Sequence, residues 1–327
     1  MSDSILQIKN LTVEFSTRRG ALKAVDNLSF SIASGEVLGI VGESGSGKSV
    51  TSLAIMGLLP NNSKVTAEKI NFNGNNLLNL SETDKQKLRG GDMAMIFQDP
   101  MTSLNPSYTV GFQIVEALKI HQGGSKKHLH DRAVELLSHV GIPDPQVRIK
   151  SYPHQLSGGM SQRVMIAMAI ACKPKLLILD EPTTALDVTI QNQILRLLFE
   201  LKKETNMAML LITHDIAVVA ENSDRILVMY AGQCVEYGNT GEVIEEPTHP
   251  YSEGLLASLP SNYEGGAFLE ELPTIKGVVP DLSNRPEGCQ LNPRCPYVEP
   301  RCLQAEPKTV RSSNRLSKCI KPLGNVF

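Results

Sequence analysis

The stretch "GESGSGKS", residues 42–49, decides how the rest of the chain is interpreted. It matches the phosphate-binding loop pattern G-x-x-x-x-G-K-S, between the strand pattern "EVLGIV" and the helical pattern "KSVTSLAIMGLL". In such a loop, backbone N–H groups at a helix N-terminus converge on phosphates, the lysine neutralises the β- and γ-phosphates, and the serine hydroxyl ligates Mg²⁺. We therefore expect a nucleoside triphosphate site formed by Gly42, Ser44, Gly45, Ser46, Gly47, Lys48 and Ser49.

A second apolar strand pattern, "KLLILDEP" at 175–182, ends in two carboxylates. Carboxylates at the carboxyl end of such a strand are expected beside the phosphates of a nucleotide-binding loop. The carboxylate of Asp180 suits Mg²⁺, and that of Glu181 suits polarisation of an attacking water. The two motifs together predict an ATPase with Glu181 as a catalytic residue.

Strand and helix patterns alternate around these motifs. Half-buried strands are predicted at "LQIKNLTVEF" and "AVDNLSFSI" from their alternation of apolar and polar residues, and residues 63–98 look sheet-like. Two amphipathic helices follow, and α/β alternation resumes near residue 156. The predicted fold class is α/β: a doubly wound P-loop ATPase core with an antiparallel β subdomain and a helical insertion at about 100–172. The ATPase domain is expected to span 1–260, ending in the helix "HPYSEGLLASLP".

The predicted core of the helical insertion follows from the helical period. The helix "GFQIVEALKIHQ" places Phe112, Val115 and Leu118 on one face. The helix "HLHDRAVELLSHV" is expected to bury Leu129, Ala133, Leu136 and Val140.

Composition excludes several classes of protein. Across 327 residues the net charge is -2, with 41% hydrophobic and 20% charged residues, so no basic field invites a nucleic acid. The start "MSDSILQIKN" lacks signal-peptide features, and no apolar run approaches the ~18–20 residues needed to cross a bilayer. We expect a chain that folds in the cytosol.

The stretch "LSGGM" at 156–160 narrows the class of ATPase. It opens the helix pattern "SQRVMIAMAIAC", which gives the chain a second phosphate-cradling helix start. One site rarely needs two such starts, but two subunits packed head to tail would use one from each. At this point the sequence resembles the nucleotide-binding subunits of ABC transporters. The resemblance implies that Ser157, Gly158 and Gly159 contact the ATP bound by a partner subunit.

The resemblance also implies roles for two polar residues. Gln98, in "IFQDP", matches the glutamine loop that faces the membrane subunits and binds Mg²⁺ together with Ser49 and Asp180. His214, ending "AMLLITH", matches the switch histidine that contacts the γ-phosphate. A lone glutamine or histidine is more often a loop polar group or a core residue. Their order after the phosphate-binding motifs gives Gln98 and His214 expected catalytic roles.

Three further positions bear on the resemblance. Asp187, in "TALD", matches the loop that crosses the dimer interface, and Phe15 matches the aromatic residue that stacks on adenine. Taken by itself, Phe15 reads equally well as a core aromatic. Met160 departs from the glutamine common in the family, so altered contacts of this motif are expected alongside retained activity.

Three stretches resemble one subgroup, the dipeptide/oligopeptide importers: "FQDPMTSLNPSYTVGFQIVEAL", "YPHQLSGGM" and "HPYSEGLLASLP". The resemblance implies a heterodimer with a second, homologous ATPase, two transmembrane permease subunits and an extracytoplasmic peptide-binding protein. The chain would then lie at the cytoplasmic face of the inner membrane. Importers of nickel, glutathione or longer oligopeptides share these motifs and stay open. A soluble ABC-type ATPase is disfavoured because neither a second ATPase half nor a long coiled coil is present.

Six cysteines complete the sequence picture. Cys172 and Cys234 are expected to be small core residues. Four others lie in an extension at 261–327, with five, six and sixteen residues between them: Cys289, Cys295, Cys302 and Cys319. Four thiolates suit zinc or a [4Fe–4S] cluster. The family resemblance favours the cluster, while zinc and unligated thiols stay open.

Overall fold

The computed structural model describes residues 4–18, 20–98, 103–183, 187–259, 274–312 and 314–324. The predicted start of the helical insertion at about 100 and that of the C-terminal extension at 261 both lie outside these residues, as do residues 184–186 of "TALD".

The chain divides into two compact units. Unit 1 comprises Met1–Ile5, Ile32–Glu36 and Leu77–Leu210. Unit 2 comprises Leu6–Ser31, Val37–Asn76 and Leu211–Phe327.

The described strands have the following bounds: β1 Ser4–Thr17, β2 Gly20–Ala33, β3 Val37–Val41, β4 Ser63–Thr66, β5 Lys69–Phe72, β6 Asn75–Asn76, β7 Met93–Ile96, β8 Leu176–Asp180, β9 Ala208–Thr213, β10 Arg225–Tyr230, β11 Gln233–Asn239, β12 Val310–Ser312 and β13 Arg315–Ser317. The described helices are α1 Lys48–Met56, α2 Glu82–Leu88, α3 Val110–His121, α4 Lys126–His139, α5 Pro145–Arg148, α6 Gly158–Ile170, α7 Val188–Thr205, α8 Ile216–Asn222, α9 Thr240–Glu245, α10 Pro250–Ala257 and α11 Pro300–Gln304. Two 3₁₀ turns span Leu77–Asn79 and Pro153–Gln155.

Unit 2 carries an antiparallel sheet and part of an α/β core. The antiparallel sheet has the strand order β2-β1-β5-β6, with β4 also paired to β1. In the core the order is β12-β13-β11-β10-β3, and β10 runs parallel to β3. Ala231 and Gly232, both with positive φ, form the two-residue turn between β10 and β11. Positive φ at both turn positions is favoured because it matches the right-handed twist of the two strands. Through β13 and β12, the C-terminal extension continues this sheet.

Unit 1 carries the remaining core strands and the helical insertion. Its strand order is β9-β8-β7, and β7 runs parallel to β8. Only the first residues of β9, up to Leu210, belong to unit 1. Every residue of β8 is buried, which is typical of a strand covered on both faces. Helices α3, α4 and α6 pack against one another. No helix in the described part of the chain is long and apolar enough to span a bilayer.

The predicted core of the helical insertion is partly correct. The three residues predicted for α4, Leu129, Ala133 and Leu136, are buried, and so is Val140, which directly follows this helix. In α3 the predicted face is wrong for Phe112, which is 47% exposed and stacks on Tyr108 with ring centroids 4.5 Å apart. Leu118 is buried as predicted and Val115 is half-buried, while Val110 and Ile114 are buried as well. Apolar residues occur on both faces of this helix, so packing against α4 and α6 decides which face is buried.

Another difference is α2, which lies within a stretch predicted to be sheet-like. Ser81 caps this helix by accepting a hydrogen bond from Asp84 N (3.2 Å), and its hydroxyl donates to the Asp84 carboxylate (2.7 Å). The negative charges of Glu82 and Asp84 in the first turn interact favourably with the helix dipole and stabilise the helix. The helix is therefore specified by its N-terminal capping residues rather than by an apolar face.

Candidate functional site

The phosphate-binding loop in unit 2 depends on glycine at two positions. Gly42 has φ +159°, and a Cβ there would lie 2.2 Å from Met229 O. Gly47, with φ +98°, caps the N-terminus of α1, and a Cβ there would lie 2.6 Å from Ala24 O. Side chains are thus excluded where the backbone passes closest to its neighbours. Helix α1 follows directly, so its N–H groups begin at the loop.

The side chain of Lys48 folds back over this loop. Its ammonium donates to Gly42 O (2.7 Å) and to Glu43 O (3.0 Å). The side chain is almost completely buried. The loop backbone therefore sets the position of the ammonium group.

Two of the residues predicted to be catalytic lie together in unit 1. Gln98, just after β7, donates from Nε2 to Oε2 of Glu181, just after β8, at 3.1 Å. Since β7 and β8 are parallel, their carboxyl ends lie at the same edge of the sheet. Asp180 is 5% exposed, and Glu181 has φ +48°, a conformation that non-glycine residues rarely adopt and that is often found at functional sites.

The predicted signature motif, also in unit 1, forms the start of α6. Ser157 caps this helix by accepting from Met160 N (3.3 Å), so the Met160 departure leaves the cap intact. Asp187 caps α7 by accepting from Ile190 N (3.0 Å). The starts of α6 and α7 lie close together, because a Cβ added to Gly159 would lie only 3.1 Å from Ile190 Cγ2.

Phe15, predicted to bind the nucleotide, and His214, predicted to be catalytic, belong to unit 2. Phe15 lies in β1 opposite Ser63 and is half-buried. His214 directly follows β9 and is exposed. The next residue, Asp215, caps α8 by accepting from Ala217 N (2.9 Å).

The four cysteines of the extension converge. All four line one cavity of about 20 Å³, beside His249 and Leu291. Cys289 N donates to Cys302 O (2.8 Å), which joins two of them through the backbone. Within the ranges that the structure describes, however, no group of three or more His, Cys, Asp or Glu side chains is arranged to hold a metal ion. The thiols thus share a cavity without forming a coordination shell.

Burial lowers the acidity of three of these thiols. It raises the pKa of Cys289 and of Cys295, and it raises that of Cys319 to about 11. Charge on the neighbouring thiols adds to each of these pKa increases. Such thiols are protonated at neutral pH, so a metal would have to displace their protons. Cys172 and Cys234, predicted to be core residues, are half-buried.

Two contacts near the predicted site had no signal in the sequence. Gln162 donates to Pro182 O (2.6 Å), which ties α6 to the segment after Glu181. Arg294 of the extension pairs with Glu43 of the phosphate-binding loop at 3.0 Å. Both join residues that are distant along the chain, so no local pattern could reveal them.

Two family models match the chain. The model described as "ABC transporter" matches residues 25–184, and that described as "Oligopeptide/dipeptide transporter, C-terminal region" matches residues 235–302. An ATP-binding cassette in a dimeric post-hydrolysis state bound to ADP and Pi has a similar structure. It shows a TM-score of 0.65 and 29% identity, over 72% of this chain and 98% of the other. The fold and motifs therefore define an ABC-type ATPase, which confirms the predicted fold class.

Curated relatives span nearly the whole chain. The dipeptide transport ATP-binding protein DppD of Haemophilus influenzae is 60% identical over 98% of this chain and 96% of its own length. DppD of Escherichia coli is 57% identical over 98% and 97%, and the oligopeptide transport ATP-binding protein OppD of Escherichia coli is 51% identical over 98% and 94%. The chain belongs to the ABC transporter family, among the ATP-binding subunits of dipeptide/oligopeptide transporters. This confirms the family that the sequence motifs indicated.

Proposed function

We propose that this chain is the ATP-hydrolysing subunit that energises import of dipeptides and other short peptides through a membrane ABC transporter. The hydrogen bond from Gln98 to Glu181 carries the enzymatic part, because it holds a carboxylate beside a polar group suited to orient water. Similarity to two DppD proteins supports the choice of dipeptide over longer oligopeptide, nickel or glutathione.

The residues divide the work of hydrolysis as follows. The phosphate-binding loop with Lys48 would bind the triphosphate, and Ser49, Gln98 and Asp180 would hold Mg²⁺, which neutralises charge on the phosphates. Glu181 polarises the attacking water. The adenine-stacking and γ-phosphate-contacting residues are Phe15 and His214.

The partner ATPase completes a second nucleotide site. Ser157, Gly158 and Gly159 act on the ATP of a second, homologous subunit, and Asp187 lies at that dimer interface. The described start of α6 is a helix N-terminus, and the N–H groups and dipole of such a terminus favour anions.

Two transmembrane permease subunits dock on the helical insertion. The exposed, stacked pair Tyr108 and Phe112 supports this proposal, because large exposed aromatic side chains are typical of protein interfaces. Phe97, next to Gln98, is also 39% exposed. The chain then lies at the cytoplasmic face of the inner membrane, and an extracytoplasmic peptide-binding protein delivers the cargo.

Reconstitution tests this function. The chain is assembled with its permeases and partner ATPase in proteoliposomes, with the binding protein on the other side. Dipeptides should stimulate both ATP hydrolysis and uptake, while nickel, glutathione and longer oligopeptides should not. Stimulation by one of those three would replace the dipeptide assignment. Hydrolysis indifferent to the membrane subunits would favour a soluble ABC-type ATPase.

For the extension at 261–327, appended to an ATPase domain at 1–260, we propose that its four cysteines bind a [4Fe–4S] cluster, with Zn²⁺ as the alternative. Convergence of the thiols on one cavity supports the donor set. When bound, the group supplies a cross-link that holds a short extension folded.

Iron, zinc and acid-labile sulfide contents of anaerobically purified protein test this assignment. About four irons and four sulfides per chain, lost on Cys295→Ser, are expected for a cluster. One zinc per chain without sulfide would show that the site binds zinc and not a cluster. Absence of both iron and zinc would refute both assignments.

A further inference from the structure

The second residue of the phosphate-binding loop is held by its backbone and its side chain. Glu43 N donates to the Tyr251 hydroxyl at 2.8 Å. The Glu43 carboxylate accepts hydrogen bonds from both terminal nitrogens of Arg294, with Nη1 to Oε2 at 3.0 Å and Nη2 to Oε1 at 3.1 Å. The Arg294 side chain is only 4% exposed. Because the Arg294 side chain is buried, solvent screens this bidentate pair less than it would screen a pair at the surface, although the Glu43 side chain is 29% exposed.

Arg294 is itself fixed by the extension. Its Nε donates to Lys276 O (3.0 Å), and Nη2 also donates to Ile275 O (3.2 Å). The guanidinium lies 5.7 Å from the centroid of the Tyr230 ring. These contacts hold the guanidinium in one orientation, so it presents a fixed fork to Glu43.

The backbone of Arg294 belongs to a turn of the thiol-lined region. Arg294 N and Cys295 N both donate to Leu291 O, at 2.8 and 2.9 Å. Leu291 is buried and lines the cavity that the four cysteines share. The folding of this region therefore determines where Arg294 lies.

The chain of contacts continues into the nucleotide-binding loop. Glu43 O accepts from Lys48 Nζ at 3.0 Å, so the backbone of Glu43 helps to place the ammonium that binds phosphate. Without Arg294, the Glu43 side chain loses its charged partner, and the loop keeps fewer contacts to fix it. We propose that Arg294 is a positioning residue for ATP, which acts through Glu43 on the phosphate-binding loop and on Lys48. The proposal rests on the proposed function in one respect, that this loop binds ATP.

A purely structural role would give a different result. If the ion pair served only to anchor the extension, its loss would lower thermal stability and leave the ATP affinity of the folded protein unchanged. A positioning role changes ATP affinity at temperatures far below unfolding. It also raises KM for ATP in the assembled transporter while kcat stays close to wild type.

The experiment compares Arg294→Met with Arg301→Met in the full-length chain. Arg301 lies in the same extension, is 65% exposed and pairs with Glu299 at 3.0 Å, which makes it a matched control. The Kd for Mg·ATP is measured by titration calorimetry, and Tm is measured in parallel. We expect Arg294→Met to weaken ATP binding by about tenfold, a coupling typical of linked sites, and Arg301→Met to leave it within about twofold.

Further variants keep the test decisive if Arg294→Met does not fold. Glu43→Gln removes the charge from the loop side, so by itself it should weaken ATP binding by a similar factor. Arg294→Lys keeps the charge without the bidentate fork, so it should restore part of the affinity. Wild-type ATP affinity in Arg294→Met, or in both Glu43→Gln and Arg294→Lys, would overturn the positioning role. Failure of the wild-type chain to bind ATP would overturn the proposed function as well.

Discussion

Replacing Arg315 by Met should destabilise unit 2 strongly, because it leaves a buried carboxylate without its cation. Glu236, in β11, has no exposed surface. Its carboxylate accepts from Thr248 N and Oγ1, both at 2.7 Å, from His249 N at 3.0 Å, and from Arg315 Nη2 at 3.2 Å. Arg315 also donates to Glu246 O. The pair joins β13 of the extension to β11.

The expected magnitude follows from this geometry. Removing one partner of a buried ion pair costs about 3–5 kcal/mol, because the remaining charge stays buried. The three other hydrogen bonds to Glu236 persist in Arg315→Met but do not neutralise the charge. At about 2–4 °C per kcal/mol for a unit of roughly 150–250 residues, Tm should fall by about 6–20 °C.

The assay is thermal unfolding followed by circular dichroism at neutral pH. Arg311→Met is the matched control, because Arg311 lies in the adjacent strand β12 and is exposed. The double variant Glu236→Gln, Arg315→Met removes both charges and should recover part of the lost stability. A Tm for Arg315→Met within about 2 °C of wild type, less than 1 kcal/mol on this scale, would refute the reasoning.

Three other substitutions test the candidate site. Gly47→Ala places a Cβ 2.6 Å from Ala24 O at φ +98° and should abolish measurable ATP binding, whereas Gly45→Ala, with open space around its Cβ, should weaken it less; equal affinities in calorimetry would contradict this. Gln98→Ala removes the bond to Glu181 and should lower kcat about 10- to 100-fold, as loss of an orienting partner usually does; unchanged turnover by the assembled complex would contradict it. Asp187→Ala removes the cap of α7 and should cost about 1 kcal/mol in urea unfolding, while Asp187→Asn, which can still cap, should cost less; equal stability of all three proteins would be evidence against a stabilising cap.

Local sequence patterns predicted those structural features that nearby residues in the chain determine. The phosphate-binding loop was predictable because its glycines adopt backbone conformations that side chains would obstruct. The strand ending at Asp180 was predictable because a strand buried on both faces is a continuous apolar run. Leu129, Ala133 and Leu136 of α4 were predictable because they follow one helical face.

Other features depend on contacts that no local pattern encodes. Strands β12 and β13 are three residues long, too short for a period to show, and β13 pairs with the distant strand β11. The face that α3 buries depends on its neighbouring helices. Helix α2 is different: "SETD" at 81–84 carries an N-terminal capping signal that favours a helix over the predicted sheet.

ATP turnover by Glu181→Gln in the assembled transporter tests the central claim most directly. Glutamine is nearly the same size as glutamate and stays polar, but its amide cannot act as a base. We predict that hydrolysis falls by at least about 100-fold while Mg·ATP still binds with wild-type affinity, because the carboxylate acts on the water and not on nucleotide binding. Turnover at the wild-type rate would contradict the assignment of Glu181 as the residue that activates the attacking water.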